Sequence, residues 1–88
     1  MKTVIKFWAS WCGPCTMYAP TFNKVTEMLQ SEEINFIEIN TDDDPEELTK
    51  KYGVSSIPTT IILDENDEMI RKKSGSILLK DLIVFISE

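Results

Sequence analysis

The chain carries two cysteines, Cys12 and Cys15, in the run Trp11-Cys12-Gly13-Pro14-Cys15, directly after the apolar segment Val4-Ile5-Lys6-Phe7-Trp8. A C-x-x-C at a strand-to-helix junction is a dithiol built to open and close, which points to redox exchange. The first cysteine falls at a helix N-terminus, where partial positive charge and free backbone N–H groups favour a thiolate. The second, three residues on, lies on roughly the same helical face and can resolve a mixed disulfide. Cysteines this close cannot staple a long loop, which argues against a purely structural bond. A structural zinc needs four ligands, and two cysteines with no histidine do not supply them within one chain. Only a site shared between two subunits would serve, so no bound metal is expected.

The elements that must position this pair are legible by period. Val4 to Trp8 is β-branched and aromatic and reads as a largely buried strand. From Pro14 to about Gln30 the period changes: Tyr18, Phe22, Val25 and Leu29 recur as one face of a helix. Pro14 suits a first turn, whereas Pro20 should bend the helix or cost it a hydrogen bond. Ile34 to Ile39 reads as a second strand. Asp44 then reads as N-cap and Pro45 as first residue of a short helix ending near Tyr52-Gly53, with Gly53 just past its end. Thr59 to Leu63 is a third strand, and Glu68 to Lys72 a weaker fourth, joined as a hairpin through Asp64-Glu65-Asn66-Asp67. Ser76 reads as the cap of a last helix with an apolar stripe of Leu78, Leu79, Leu82, Ile83 and Ile86. The order is βαβαββα, one domain over residues 1–88.

Composition bounds the function. Nine basic residues against fifteen acidic ones leave a net charge of −6. There is no basic stripe to replace phosphate counterions, which argues against nucleic-acid binding, and anionic membrane surfaces are disfavoured for the same reason. No stretch approaches the ~20 apolar residues of a membrane span. The start has no apolar run of signal-peptide length, so no cleavable leader is expected and a reducing cytoplasm is the default location. The acidic run Asp42 to Asp44 reads as a solvated loop with capping value.

The chain resembles the thioredoxin family. The resemblance spans essentially all of the sequence and rests on Phe7-Trp8-Ala9-Ser10-Trp11-Cys12-Gly13-Pro14-Cys15, Ala19-Pro20, Tyr52-Gly53-Val54, Ile57-Pro58-Thr59 and Gly75. A bare C-x-x-C is a weak signal, but W-C-G-P-C after an apolar strand, followed by I-P-T before another, is a strong one. The resemblance implies a minimal thioredoxin fold of the α/β class: a four-stranded mixed sheet with helices on both faces, the first two strands parallel and the hairpin antiparallel to them. It also implies a cis peptide between Ile57 and Pro58 beside the cysteines, affordable at ~0.5–1 kcal/mol over trans. The residues alone leave open that Pro58 merely starts a strand.

The activity implied is that of a thiol–disulfide oxidoreductase reducing protein disulfides. Cys12 attacks the target as a thiolate and Cys15 resolves the mixed disulfide. Cys12 is expected to be the more acidic thiol and Cys15 the more buried. Gly13 and Pro14 hold the helix start, and Trp8 packs under the active-site loop. Trp11, Ile57 through its backbone, and Gly75 form the docking rim, while Met17 and Tyr18 fit helix surface or core equally. No cofactor is expected on the chain itself. Reducing equivalents come from NADPH through a separate thioredoxin reductase-like protein, the chain acting as a monomer on disulfide-containing protein substrates. The alternatives are a glutaredoxin-like reductase recharged by glutathione, and a non-turnover binding subunit using the same apolar rim.

The sequence departs from the family in several places. Members usually carry a further strand and helix ahead of the segment that begins at Val4, so one sheet edge is expected to be less protected. They usually hold a buried Asp where Lys6 stands and a Lys where Glu38 stands; here the partners are exchanged. If the strands are neighbours, the pair is a candidate for proton handling at Cys15, or else a cross-strand salt bridge worth ~0–1 kcal/mol. Ser56, beside Ile57-Pro58, stands where Gly is common and narrows or polarises the target groove. Asp67 replaces a hairpin Gly, which argues for a turn that does not need glycine there.

Overall fold

Side-chain alternation along one strand sets the layers of this fold. In the computed structural model, which describes residues 1–31 and 33–88, strand β1 (Lys2–Trp8) buries Val4 and Lys6 toward one face and Ile5 and Phe7 toward the other. Helix α1 (Gly13–Leu29) covers the first face with Tyr18, Phe22 and Val25. Beside it lies α3 (Leu79–Ser87), adding Leu82 and Ile86 to the same cluster. The opposite face takes the short α2 (Leu48–Lys51), where Leu48, Tyr52 and Val54 pack against Ile5, Phe7, Ile61 and Leu63. Strands β2 (Ile34–Asn40), β3 (Thr59–Leu63) and β4 (Met69–Ser74) complete a four-stranded sheet in the order β2-β1-β3-β4. β1 and β2 are parallel; β3 is antiparallel to both β1 and β4. The βαβαββα order and the mixed sheet with helices on both faces are those expected.

Strand positions explain composition. All five residues of β3, flanked on both sides, are buried. Edge strand β4 is mostly exposed and carries Arg71, Lys72 and Lys73, charges that blunt an edge against pairing with other chains. Two basic residues also tie α3 down from below. Arg71 Nε donates to the Phe85 carbonyl at 2.9 Å, and Lys2 Nζ donates to the Ile86 carbonyl. Cations at a helix C-terminus oppose its negative dipole end.

Several element ends differ from those expected, for identifiable reasons. β1 starts at Lys2 because Lys2 N–H already pairs with the Glu33 carbonyl at 2.9 Å. β4 starts one residue later than expected and ends two later, with a register shift against β3 at Ile62/Leu63. α1 runs through Pro20 as one helix, with Pro20 on its exposed side. α2 starts at Leu48 rather than Pro45, because Glu47 takes a left-handed φ of 54° and separates it from the turn at Pro45. Asp44 still caps it from a distance, accepting from Leu48 N–H at 3.1 Å and from Thr49 N–H at 2.8 Å. Partial burial pushes the Asp44 carboxyl up, but the bonds from Thr49 and Leu48 outweigh it and hold the group below its ordinary range. Gly53 follows as expected, at φ 63° just past the helix.

The hairpin corrects another reading. Asp67 sits at φ 61°, so the turn does demand the left-handed conformation; aspartate adopts it at modest cost. Ser76 does not cap α3. Leu78 occupies the N-cap without a side-chain bond, and Ser76 Oγ instead donates to the Pro14 carbonyl at 3.4 Å. Consequently Leu78 and Leu79 leave the apolar stripe and are exposed.

One polar contact lies inside the core. Tyr18 Oη and Thr60 Oγ1 are 2.8 Å apart, both fully buried, linking α1 to the central strand. Burial pushes the Tyr18 phenol up to about 12, against a smaller downward pull from Thr60. Tyr18→Phe or Thr60→Val alone strands a buried hydroxyl and is expected to cost ~1–3 kcal/mol, while the double variant loses less than the sum. Additive losses in urea unfolding would show that the two are uncoupled. The neutral phenol's contribution is intact below pH 10 and is lost as pH rises from there toward about 12, a slope that Tyr18→Phe should remove.

Candidate active site

The site is built at the C-terminal end of β1. After Trp8 the chain passes through buried Ala9, whose carbonyl accepts from Cys12 N–H at 3.1 Å and closes the turn. Cys12 is then the N-cap of α1, with extended φ −91° and ψ 106°. Its carbonyl accepts from Thr16 N–H at 3.1 Å, and its Sγ accepts from Cys15 N–H at 3.2 Å. Sulfur thus occupies the place where serine or aspartate oxygen usually caps a helix. Negative charge on Cys12 Sγ meets that N–H and the positive end of a helix of 17 residues.

Cys12 and Cys15 form a disulfide with Cα atoms 5.2 Å apart. Both are buried, Cys15 marginally the more. With Ala9 they make a small apolar cluster against which Trp8 and Ile57 pack. The Ile57–Pro58 peptide is cis. It brings the Ile57 carbonyl to 3.7 Å from Cys12 Sγ. The Pro58 carbonyl accepts from Gly75 N–H at 2.7 Å, and Gly75 holds a left-handed φ of 89° that favours glycine. Three segments distant in sequence thereby meet around one sulfur. A Cβ at Gly13 would meet nothing within 4 Å, so no clash in the fold requires glycine there. Pro14 is in the first turn and exposed.

Trp11 is 69% exposed. Its indole is not free to swing: Nε1 donates to Asp42 Oδ2 at 2.7 Å. Sequence reasoning missed Asp42 as a positioning residue, because nothing local announces a bond across 31 residues. Between Trp11 and Ile57 a groove of about 410 Å³ opens, lined also by Thr41, Thr49, Val54, Ser55 and Ser56. Ser56 therefore polarises this groove, in company with three other hydroxyls.

Lys6 and Glu38 are cross-strand partners in register, and Nζ stands 2.7 Å from Oε1. Lys6 is 3% exposed and Glu38 49%. The ammonium lies 5.0 Å over the Phe22 ring, a residue about 10 Å farther along α1 than Cys15 at ~1.5 Å per residue. The two are together beneath the site; the ammonium is directed along α1, not at the sulfur pair. Among the described residues there is no cluster of three or more His, Cys, Asp or Glu able to hold a metal, and no helix is long and apolar enough to cross a membrane.

The thioredoxin family profile matches residues 1–88. The thioredoxin of Pyropia yezoensis is 37% identical over 90 residues, covering 99% of this chain and 82% of its own length. That of Rickettsia typhi is 35% identical over 88 residues, covering 100% of this chain and 81% of its own. Among solved structures, thioredoxin-2 of the malaria parasite superposes with a TM-score of 0.87 at 31% identity, over 99% of this chain and 82% of that one. Malassezia sympodialis thioredoxin gives 0.84 at 28%, over 98% and 72%.

The Lys6–Glu38 pair has unequal members. Glu38→Ala strands a buried ammonium and is expected to cost ~1–3 kcal/mol, whereas Lys6→Met substitutes an apolar chain of similar length and leaves a hydrated carboxylate, costing less than ~1 kcal/mol. Chemical denaturation of both variants checks the order. Equal losses would mean that Lys6 is not effectively desolvated.

Proposed function

The chain belongs to the thioredoxin family and is a thiol–disulfide oxidoreductase of the disulfide-reductase type working through Cys12 and Cys15, and from that premise we propose how its residues divide the work and what recharges it. The observation that carries the proposal is the position of Cys12: N-cap of α1, Sγ under the Cys15 N–H, beside the Ile57 carbonyl.

In the reduced protein Cys12 thiolate attacks one sulfur of the target disulfide, and the other target sulfur leaves as a thiolate. Cys15, deprotonated, then attacks Cys12. The Cys12–target bond breaks, the Cys12–Cys15 disulfide forms, and the target departs with both sulfurs reduced. Two electrons and two protons have passed to the target. Ile57 lends backbone groups to an extended target chain, Trp11 offers an apolar face fixed by Asp42, and Gly75 allows close approach. Trp8, Gly13, Pro14 and Pro58 shape the ground under the sulfurs. Electrons return from NADPH through a separate thioredoxin reductase-like protein, and the chain works as a monomer in the cytoplasm, where such a pair is kept reduced. The proton leaving Cys15 is handled by the Lys6–Glu38 pair, a reading supported by the buried Lys6 on the sheet face that α1 covers and by its 2.7 Å contact with the half-exposed, solvent-reaching Glu38.

Reduction of a protein disulfide is expected with thioredoxin reductase and NADPH, and not with glutathione and its reductase. Cys12→Ser should abolish turnover, and Cys15→Ser should trap a mixed disulfide. Turnover only with glutathione would make the protein glutaredoxin-like. Activity in neither system, with partner binding that survives both substitutions, would make it a binding subunit. For the proton, Lys6→Met and Glu38→Gln should each lengthen the mixed-disulfide lifetime more than they slow its formation. Unchanged lifetimes in both remove the pair from the mechanism.

A further inference from the structure

The two sides of the disulfide differ in chemistry. On the Trp11 side four hydroxyl residues line the groove together with Trp11, Val54 and Ile57, and the Asp42 carboxylate sits beside it, holding the Trp11 indole. On the other side, between α1 and the β4–α3 connection, is a hollow of about 280 Å³ walled by Pro14, Met17, Ile77 and Leu78, with Tyr18, Thr21 and Ser76 completing its lining. Met17 is 80% exposed and Leu78 71%, an unusual pair of large apolar side chains left bare around one depression. The hollow is continuous with the active-site turn, since Pro14 belongs to both and the Ser76 hydroxyl reaches its carbonyl across the floor.

Leu78 stands where a helix is better served by a polar residue. It is the N-cap of α3 and makes no capping bond, leaving donors of the first turn without a side-chain partner. Folding alone does not call for leucine there. The volume also limits the occupant: it lies just below the ~300–1,000 Å³ usual for small-ligand pockets, so it suits a side chain of a docked segment better than a free ligand. Methionine on one wall gives a flexible, polarisable contact suited to varied apolar partners.

Resting on the reductase reading above, we propose that this hollow is a specificity pocket that receives a bulky apolar side chain flanking the reactive cysteine of the target, Met17 and Leu78 forming its walls. The target segment is thus oriented across the disulfide. Its apolar residue lies toward α3, and its polar or basic residues lie toward the hydroxyls and the Asp42 carboxylate beside Trp11. Neither wall residue touches the reacting sulfurs; both act by seating the segment.

The test uses the pre-reduced protein and two synthetic peptide dimers, each joined by one disulfide. One carries Leu and the other Ser at the second position on either side of the cysteine. In single turnover the wild-type protein is expected to reduce the Leu peptide with a second-order rate constant at least about fivefold higher, within the range that a hydrophobic pocket can discriminate. Met17→Ser and Leu78→Ser should bring that ratio toward one, while Met28→Ser, an equally apolar but remote surface change on α1, keeps it. Leu78→Ser installs a good N-cap, so its unfolding midpoint should hold or rise, separating lost selectivity from lost stability. Equal rates on the two peptides in the wild type, or a preference that survives the Met17→Ser/Leu78→Ser double variant, would overturn the pocket. Failure to reduce either peptide would instead strike the reductase reading itself, and the pocket with it.

Discussion

One hydrogen bond joins the chemistry of this protein to its fold: Cys15 N–H donating to Cys12 Sγ at 3.2 Å. It exists only if Cys12 is the residue at which extended chain becomes helix. That in turn requires β1 to end at Trp8 and α1 to begin at Gly13. The helix cannot slide, because Tyr18, Phe22 and Val25 are locked into the layer shared with Val4, Ile62 and α3. The electrostatic environment of the attacking sulfur is therefore set by packing a full turn and more below it. The same backbone donor that stabilises the helix start stands ready for negative charge on sulfur.

The core that fixes the helix is not wholly apolar. Tyr18 and Thr60 hydrogen-bond inside it, and Lys6 enters it with its charge turned to Glu38 and the Phe22 ring. Lys6 of β1 and Thr60 of β3, paired in register, sit on the sheet face that α1 covers with Tyr18 and Phe22. Polar groups in such a place are costly when unpaired and specifying when paired. Among the described residues, no buried side-chain polar atom lacks a partner. The network holds α1 to the two central strands at a defined height, which a uniformly apolar interface would fix less sharply.

Around the sulfurs the rim is assembled from segments far apart in sequence. The cis Ile57–Pro58 turn, Gly75 and the Trp11 loop meet because β1 and β3 are adjacent strands and because the Gly75 N–H pairs with the Pro58 carbonyl. The resulting surface is two-sided. Four hydroxyl residues and the Asp42 carboxylate lie on the Trp11 side, while Met17 and Leu78 are exposed on the Pro14 side. A target chain crossing the disulfide meets different chemistry on each side, and its direction is thereby constrained.

What the sequence determined by itself was local or strongly periodic. The strand before Cys12, the amphipathic run of α1, the all-buried Thr59–Leu63 and the turn at Gly53 follow from side-chain period and backbone preference, which act within a few residues. The dithiol motif and its family resemblance then carried the fold and the reaction. What only the tertiary structure decided was where side chains with several possible partners found them. Ser76 reads as a helix cap but bonds across to Pro14, so Leu78 takes the N-cap and faces solvent. Asp42 reads as solvated loop but anchors Trp11, and Asp67 takes the left-handed turn expected of glycine. Pro45 reads as a helix start but lies in a turn, since Glu47 interrupts the helical run. In each case the local preference is worth about 1 kcal/mol or less. A contact made by the fold as a whole easily outweighs it.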